Sequence, residues 1–182
     1  LKEQIERRGH KAVIIDVSLG GEPVAPGDVT CEEIARLGGA SGHAEVRAGG
    51  KGEAFQVMIA GATKKVIDLY SERKLDAVIS VGGGSATNLA MPVMGALPFS
   101  VPKLMVSSEI AMPGYASKLI GGKDFMVLNS VVDFIGLNGL TKNVLERAAA
   151  AVCALAEVPQ VGALRTKKPM IAMISWGACE HT

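Results

Sequence analysis

Aromatic side chains are scarce in this sequence, only 4% of 182 residues, so its interior has to be built from Val, Ile, Leu, Ala and Met. No stretch approaches the roughly 18 uninterrupted apolar residues that a membrane-crossing helix needs. The opening Leu1-Lys2-Glu3-Gln4 is charged and lacks the apolar run of a secretory signal. An excess of either charge is missing too: 19 basic and 18 acidic side chains leave a formal net charge of +1. That balance gives no electrostatic pull toward nucleic acid or a membrane surface. Cys31, Cys153 and Cys179 are an odd set without metal-ligand spacing. They read as reduced thiols of a cytoplasmic protein, in small buried or half-buried positions.

What the sequence does have is apolar residues, at 48%, enough for a large core in one domain of ordinary size. Their pattern alternates between short continuous runs and longer stripes of period three and four. The runs at 11–17, 76–81, 103–108 and 125–128 have the look of parallel strands buried on both faces. Helical stripes fall at 31–37, 52–73, 88–97 and 141–156. Thr30 with Glu33 three residues on forms a capping box for the first of these. The glycine-rich stretch 38–50, holding His43 and Arg47, is expected to be a mobile surface loop. Alternation of strand and helix without hairpin signals predicts an α/β fold, a Rossmann-like parallel sheet with helices on both faces.

Both ends suggest a piece of something longer. Leu1 and Ile5 look like the second half of an amphipathic helix that stops at Gly9, with no N-cap. Residues 170–174 form a strand pattern with no return element. The expected organisation is a nucleotide-binding subdomain over 1–158 that lacks its first strand, a linker at 159–168, and at 169–182 the first strand of a second α/β subdomain.

The most informative passage is Val81-Gly82-Gly83-Gly84-Ser85-Ala86-Thr87, where a strand runs into a glycine turn and then a helix. Glycines let several backbone N–H groups converge on an anion because no Cβ blocks the approach. A helix start adds unpaired N–H groups and its positive dipole end, and Ser85 and Thr87 add hydroxyl donors. In open parallel sheets ligands bind beyond the carboxyl ends of strands, where this turn lies. The turn is neither the Walker lysine loop nor Gly-x-Gly-x-x-Gly. Two readings are open: a seat for phosphate, or a turn whose glycines only let helix and strand pack closely. Asp16, at the end of the first run, is placed either to bond ribose hydroxyls or to cap the loop after it. Lys51, before the long helix, either neutralises phosphate or is simply solvated. Ser107 and Ser108 end a strand and are expected to face the same crevice. Asp133 either joins a metal to the nucleotide or pairs with loop N–H groups.

Further residues carry a resemblance. Lys51-Gly52-Glu53-Ala54 before a long helix, then the glycine turn, then Val101-Pro102-Lys103-Leu104-Met105-Val106-Ser107-Ser108, and finally Ser130-Val131-Val132-Asp133 with Gly136-Leu137-Asn138, resemble the ATP-binding domain family typified by the tobamovirus-resistance protein of plants. The resemblance implies a Rossmann-like subdomain that binds ATP, alone or with magnesium, joined to a second α/β subdomain and assembled as a homodimer, with a protein partner as a further expectation. Carried over by position, the family's turn falls on Gly82, Gly83, Gly84, Ser85, Ala86 and Thr87. Its basic residue falls on Lys51 and its strand-end acid on Asp16. The family's turn usually reads Gly-Gly-Ser-Gly-Gly-Thr, so Ala86 places a Cβ where bare backbone is common.

No histidine and acid stand ready to activate a serine: His10 and His43 lie in loops and no Gly-x-Ser-x-Gly elbow exists. Two functions fit: an ATP-binding domain that is non-catalytic or regulatory, or an ATP- or phosphate-dependent enzyme whose catalytic residues lie mostly in a second domain.

Overall fold

Burial on both faces is the condition under which a strand can be apolar at every position, and one strand of this protein meets it fully. The structure, a computed structural model, describes residues 1–20, 27–114, 117, 120–134 and 136–159. Within them β2 (Lys103–Ser107) lies between β1 (Val78–Gly82) and β3 (Phe125–Asn129), parallel to both, and all five of its residues are buried. The register sets Ser80 opposite Met105 and Met105 opposite Val127.

Alternation along β2 sends successive side chains to opposite layers. Leu104 and Val106 pack with Ile5 of α1 (Lys2–Glu6) and with Val144, Ala148 and Val152 of the last described helix. Met105 packs the other way, against Met91 and Met94 of α5 (Gly84–Gly95). The α5 layer is backed by α4 (Lys51–Ser71), which in turn packs on α2 (Cys31–Leu37) and α3 (His43–Ala48). The result is an α/β, Rossmann-like arrangement with a three-stranded parallel sheet and helices on both faces.

Local chemistry sets the element ends. Thr30 Oγ1 accepts the Glu33 N–H at 3.2 Å, as the capping pattern requires, but Glu33 turns its carboxylate to Lys65 at 2.7 Å. The last helix, α6 (Gly139–Glu157), begins at a reciprocal cap. Asn138 Oδ1 accepts from Leu140 and Thr141, and Thr141 Oγ1 accepts the Asn138 N–H at 2.9 Å. Midway along α4, a Cβ on Gly61 would lie 1.9 Å from the Ile34 carbonyl, so α2 and α4 meet backbone to backbone and only glycine fits.

Three expectations need correction. Residues 11–17 do not form a strand: the segment makes one isolated parallel bridge, Ile15 with Val29, and leaves Val13 and Ile14 exposed. A ladder requires a neighbour along its length, and an apolar run cannot supply one. Residues 38–50 are not a loop throughout, since α3 occupies their second half with His43 and Val46 buried. Helix α5 starts at Gly84, four residues before the apolar stripe, because its first turn, Gly84-Ser85-Ala86-Thr87, is held by tertiary packing and by the Thr87 hydroxyl and carries no apolar periodicity. The linker beyond Pro159 and the strand expected at 170–174 lie outside the described residues. No described helix is long and apolar enough to cross a membrane.

Candidate functional site

The candidate site is built at the carboxyl end of β1. The strand finishes at Gly82 with φ +156°, and a Cβ there would lie 2.5 Å from the Ala86 Cβ. Gly82 is therefore bare for a packing reason: α5 closes down onto it. Gly83 is the N-cap and carries no side chain to satisfy the first turn. The amides of Ser85 and Ala86 fall in that turn, where the helix itself offers no acceptor. Gly82, Gly83, Gly84 and Ala86 are half-buried and Ser85 is exposed, so the backbone of the turn remains reachable from solvent.

Beneath the turn is a closed hydroxyl relay. Thr87 Oγ1 donates to the Gly83 carbonyl at 2.9 Å and lies 2.8 Å from Ser107 Oγ, which accepts the Glu109 N–H at 3.1 Å. One proton assignment serves all three contacts, with the Ser107 hydroxyl donating to Thr87. Both side chains are fully buried. Ser107 and Thr87 thus hold the turn from below instead of facing the crevice, whereas Ser108 is half-buried and does face it.

Ser108 brings in an acid. Its hydroxyl donates to Asp133 Oδ1, and that same oxygen would lie 3.3 Å from a Cβ placed on Gly83. A carboxylate consequently sits beside the glycine turn. It is delivered by a tense loop after β3: Val131, β-branched and 79% exposed, adopts φ +65°, a conformation that side chain rarely tolerates. Ser130 Oγ donates to the Val132 carbonyl at 2.9 Å and the Val131 N–H to Asn129 Oδ1 at 3.0 Å, bonds that hold the loop. Nothing in the local sequence announces a valine in the left-handed region.

On the far side of β1 runs a cavity of about 1250 Å³. One wall is the segment from Ala12 to Gly20, another is the edge from Asp76 to Val81, and Ser85 and Ala86 lie along it. Asp16 belongs to the first wall, and its Oδ1 accepts both the N–H and the hydroxyl of Ser18, at 2.9 and 2.5 Å. His43 fixes the same loop: its Nε2 lies 2.7 Å from the Ser18 carbonyl, while its N–H donates to Glu32 Oε2 at 2.7 Å. That backbone N–H, more than the Arg36 guanidinium nearby, holds the Glu32 carboxyl below its usual range. Asp16 and the glycine turn therefore open on one cavity. Lys51 does not line it; that lysine begins α4 on the exposed surface.

Electrostatics argue against thiol chemistry here. Burial, with the Asp16 charge beside it, pushes the Cys31 thiol up, and burial does the same to Cys153. Neither is in a disulfide, and a thiol so disposed is a poor nucleophile. Among the described residues, no group of three or more His, Cys, Asp or Glu side chains could hold a metal ion. A cation at Asp133 would need ligands from a bound molecule.

Comparison with known proteins gives a consistent relationship. Residues 1–161 match the family described as "Uncharacterised protein family (UPF0261) N-terminal domain". A UPF0261 protein of Clostridium tetani is 32% identical over 177 residues, covering 97% of this chain and 43% of the relative. A UPF0261 protein of Brucella suis is 31% identical over 178 residues, covering 98% of this chain and 42% of the relative. The ToMV susceptible protein tm-1(GCR26) of Solanum lycopersicum is 30% identical over 118 residues, 65% of this chain and 15% of that protein. The chain thus spans less than half the length of the curated relatives it matches.

Proposed function

This chain belongs to the UPF0261 family, and on that footing we propose that the carboxyl end of its sheet binds the phosphates of a nucleotide, ATP, as a binding domain without catalytic machinery of its own. One observation carries the reading: a parallel strand runs through a bare glycine turn into the N-terminus of a twelve-residue helix, and the turn stays accessible. Amides of that turn and the helix dipole favour an anion. The relay from Ser107 through Thr87 to the Gly83 carbonyl keeps the turn in shape before anything binds.

Asp133 sharpens the chemistry of the ligand. A carboxylate next to Gly83 repels a bare phosphate, and a divalent cation shared between the two converts that repulsion into attraction. The reading is accordingly of ATP as its magnesium complex, with Asp133 as the protein's ligand to the cation and Asp16 at the ribose. Lys51 is left without a part in it. The name of the tomato relative concerns susceptibility to ToMV and is a property of that protein; it points to no ligand. A homodimer belongs to the same reading and is checked by sedimentation with and without nucleotide.

The test is calorimetric titration of ATP with magnesium into the protein and into its Gly83→Val variant. We expect at least a tenfold loss of affinity in the variant, which is about 1.4 kcal/mol. Equal affinity in the two proteins rejects this turn as the phosphate seat. Steady release of ADP by the wild type would replace the binding role with an enzymatic one.

A further inference from the structure

β3 is an edge strand without the devices that keep an edge to itself. It reads Phe-Met-Val-Leu-Asn, with no charge and no proline, and its register with β2 is unbroken. Met126 and Val127, which alternation sends to opposite faces, are 49% and 38% exposed. Among the described residues no strand pairs with its outer side. The Ser130 N–H donates to the Ser107 carbonyl at 3.1 Å, so residue 130 addresses β2. In a parallel strand alternate residues turn both backbone groups to the same side, and residues 126 and 128 address β2 as well. The N–H and C=O groups of Phe125, Val127 and Asn129 therefore point outward.

The helical layer over this edge is uncovered too. Val152, Cys153 and Ala156 of α6 turn toward β1, where they line the cavity beside that strand. At 3.6 residues per turn the opposite flank of the helix holds Leu140, Arg147, Ala151 and Ala154. That flank looks out over β3; Ala151 is half-buried and the other three are exposed. Met126 lies on the same face as Leu128, which packs into the α6 cluster, so the methionine floors the space beside the flank. An uncharged strand edge thus continues into an apolar shelf that bears Arg147.

We infer that β3 pairs antiparallel with β3 of a second copy across a two-fold axis at Val127, and that the shelf of α6 completes the interface. The inference rests on the homodimer of the proposed function and gives it a surface. Symmetry selects the occupant. The outward residues are centred on Val127, so the axis pairs Val127 with its own copy and Phe125 with Asn129, and each pair exchanges both backbone bonds. No like charges meet along the paired strands, and a net charge of +1 leaves two copies little mutual repulsion. On the α6 face Met126 comes beside the partner's Leu128. A stable dimer buries about 800 Å² per partner, more than five edge residues provide, and this is why the shelf belongs to the interface. The pairing also reaches the candidate site. Two residues past the last pair, the partner's Lys123 comes opposite Val131, whose left-handed backbone delivers Asp133, and brings a positive charge to the rim of the glycine turn.

The test is sedimentation of the protein expressed from its complete coding sequence, beside its Val127→Pro and Val127→Lys variants. Proline removes an N–H that points away from β2, so the sheet keeps its own ladder, and lysine sets two like charges at the axis. The wild type is expected to be a dimer at micromolar concentration, with dimerisation weaker by roughly a hundredfold in each variant and circular dichroism unchanged. Should proline unfold the chain, the lysine variant alone gives the answer. Val127→Cys is expected to cross-link two copies under mild oxidation, because the Cα atoms of such a pair stand about 5.5 Å apart. Phe99→Cys, at a residue 81% exposed away from this edge, is expected not to. A dimer that withstands the Val127 substitutions overturns this interface and leaves the homodimer standing. A monomeric wild type overturns both, and slow exchange of the Val127 amide in that monomer assigns the edge to the rest of the polypeptide. None of these outcomes touches the glycine turn, whose test is nucleotide affinity.

Discussion

The two ends of the sheet carry similar polar equipment and use it in opposite ways. At the amino end, Lys103 is fully buried, and its ammonium donates to the Pro98 and Val101 carbonyls and to Asp124 Oδ1, at 2.8, 2.9 and 2.8 Å. Asp124 in turn accepts the Ser100 N–H at 2.8 Å. Each Lys103 proton has an acceptor and the knot is closed. At the carboxyl end, the buried hydroxyls of Thr87 and Ser107 are likewise paired, but the turn above them and the Asp133 carboxylate face outward. Polar groups that close on each other hold a fold together; those held in place from behind and left open in front can meet a ligand.

The sharpest way to break the comparison is at the closed end. Lys103→Met removes the buried ammonium and leaves the Asp124 carboxylate and the Pro98 and Val101 carbonyls without their shared cation. Breaking a buried pair from one side costs about 3–5 kcal/mol, and with Asp124 22% exposed the lower part of that range is expected. Urea denaturation monitored by circular dichroism measures it. A loss below about 1 kcal/mol would mean that the knot is incidental.

At the open end, the strongest effect is expected at Gly82. Alanine there meets the Ala86 Cβ at 2.5 Å in a backbone conformation that already disfavours a side chain, and such sites cost of order 1–3 kcal/mol. Ala86→Gly in the same chain relieves the contact and restores part of the loss, leaving the backbone strain. No recovery would show that the close approach is not what keeps Gly82 bare. Gly83→Val behaves differently, because its new side chain meets the exposed Asp133, which can move aside. It is expected to unfold within about 1 kcal/mol of the wild type, as substitutions away from packed cores do, while its nucleotide affinity falls. Stability lost in step with affinity would make the turn a packing device, the second of the two readings its sequence left open.

Ser107→Ala sits between the two cases. It strands the Glu109 N–H and one side of the Thr87 hydroxyl in the interior, a cost of about 1–2 kcal/mol. The turn then loosens, so nucleotide affinity falls as well, by less than in Gly83→Val. An affinity loss with no change in stability would put Ser107 in contact with the ligand.

How far the sequence spoke for this molecule depended on distance along the chain. The strand and the glycine turn after it are local, and so are the Thr30 cap and the stripe of α4; these were legible from spacing, whereas the start of α5 at Gly84 was not. What escaped was anything set by a distant partner. The apolar run at 11–17 has strand chemistry but no neighbour along its length. Helix α3 is six residues framed by glycines, and its burial comes from Glu32 and the Ser18 loop reaching His43. Lys103 was placed at the head of a strand but without a partner, because Asp124 stands 21 residues away. At the site, the glycines and Ser108 were readable. The inward turn of Ser107 and the placing of Asp133 by Val131 in a left-handed conformation were not, since both depend on how β2 and β3 meet α5.

The smallest effect, and the most specific to the closed end, is acid sensitivity. Burial of Asp124 works to raise its pKa, but the bonds from Lys103 and from the Ser100 N–H outweigh it, and the carboxyl is held below its ordinary 3.8. A folded-state pKa lower than the unfolded one means that the folded protein keeps its carboxylate when the unfolded chain would already take up a proton. The stabilisation is therefore complete above pH 3.8 and is lost as pH falls through the lower, folded value. Asp124→Asn cannot titrate, so it lacks this slope while it keeps an oxygen for Lys103. Stability measured from pH 6 down to pH 2 should fall more steeply in the wild type, and the two curves should converge at the acid end. Parallel curves throughout would move the protein's acid sensitivity away from this knot, to the surface carboxylates that accept backbone N–H groups, Asp28 and Glu32.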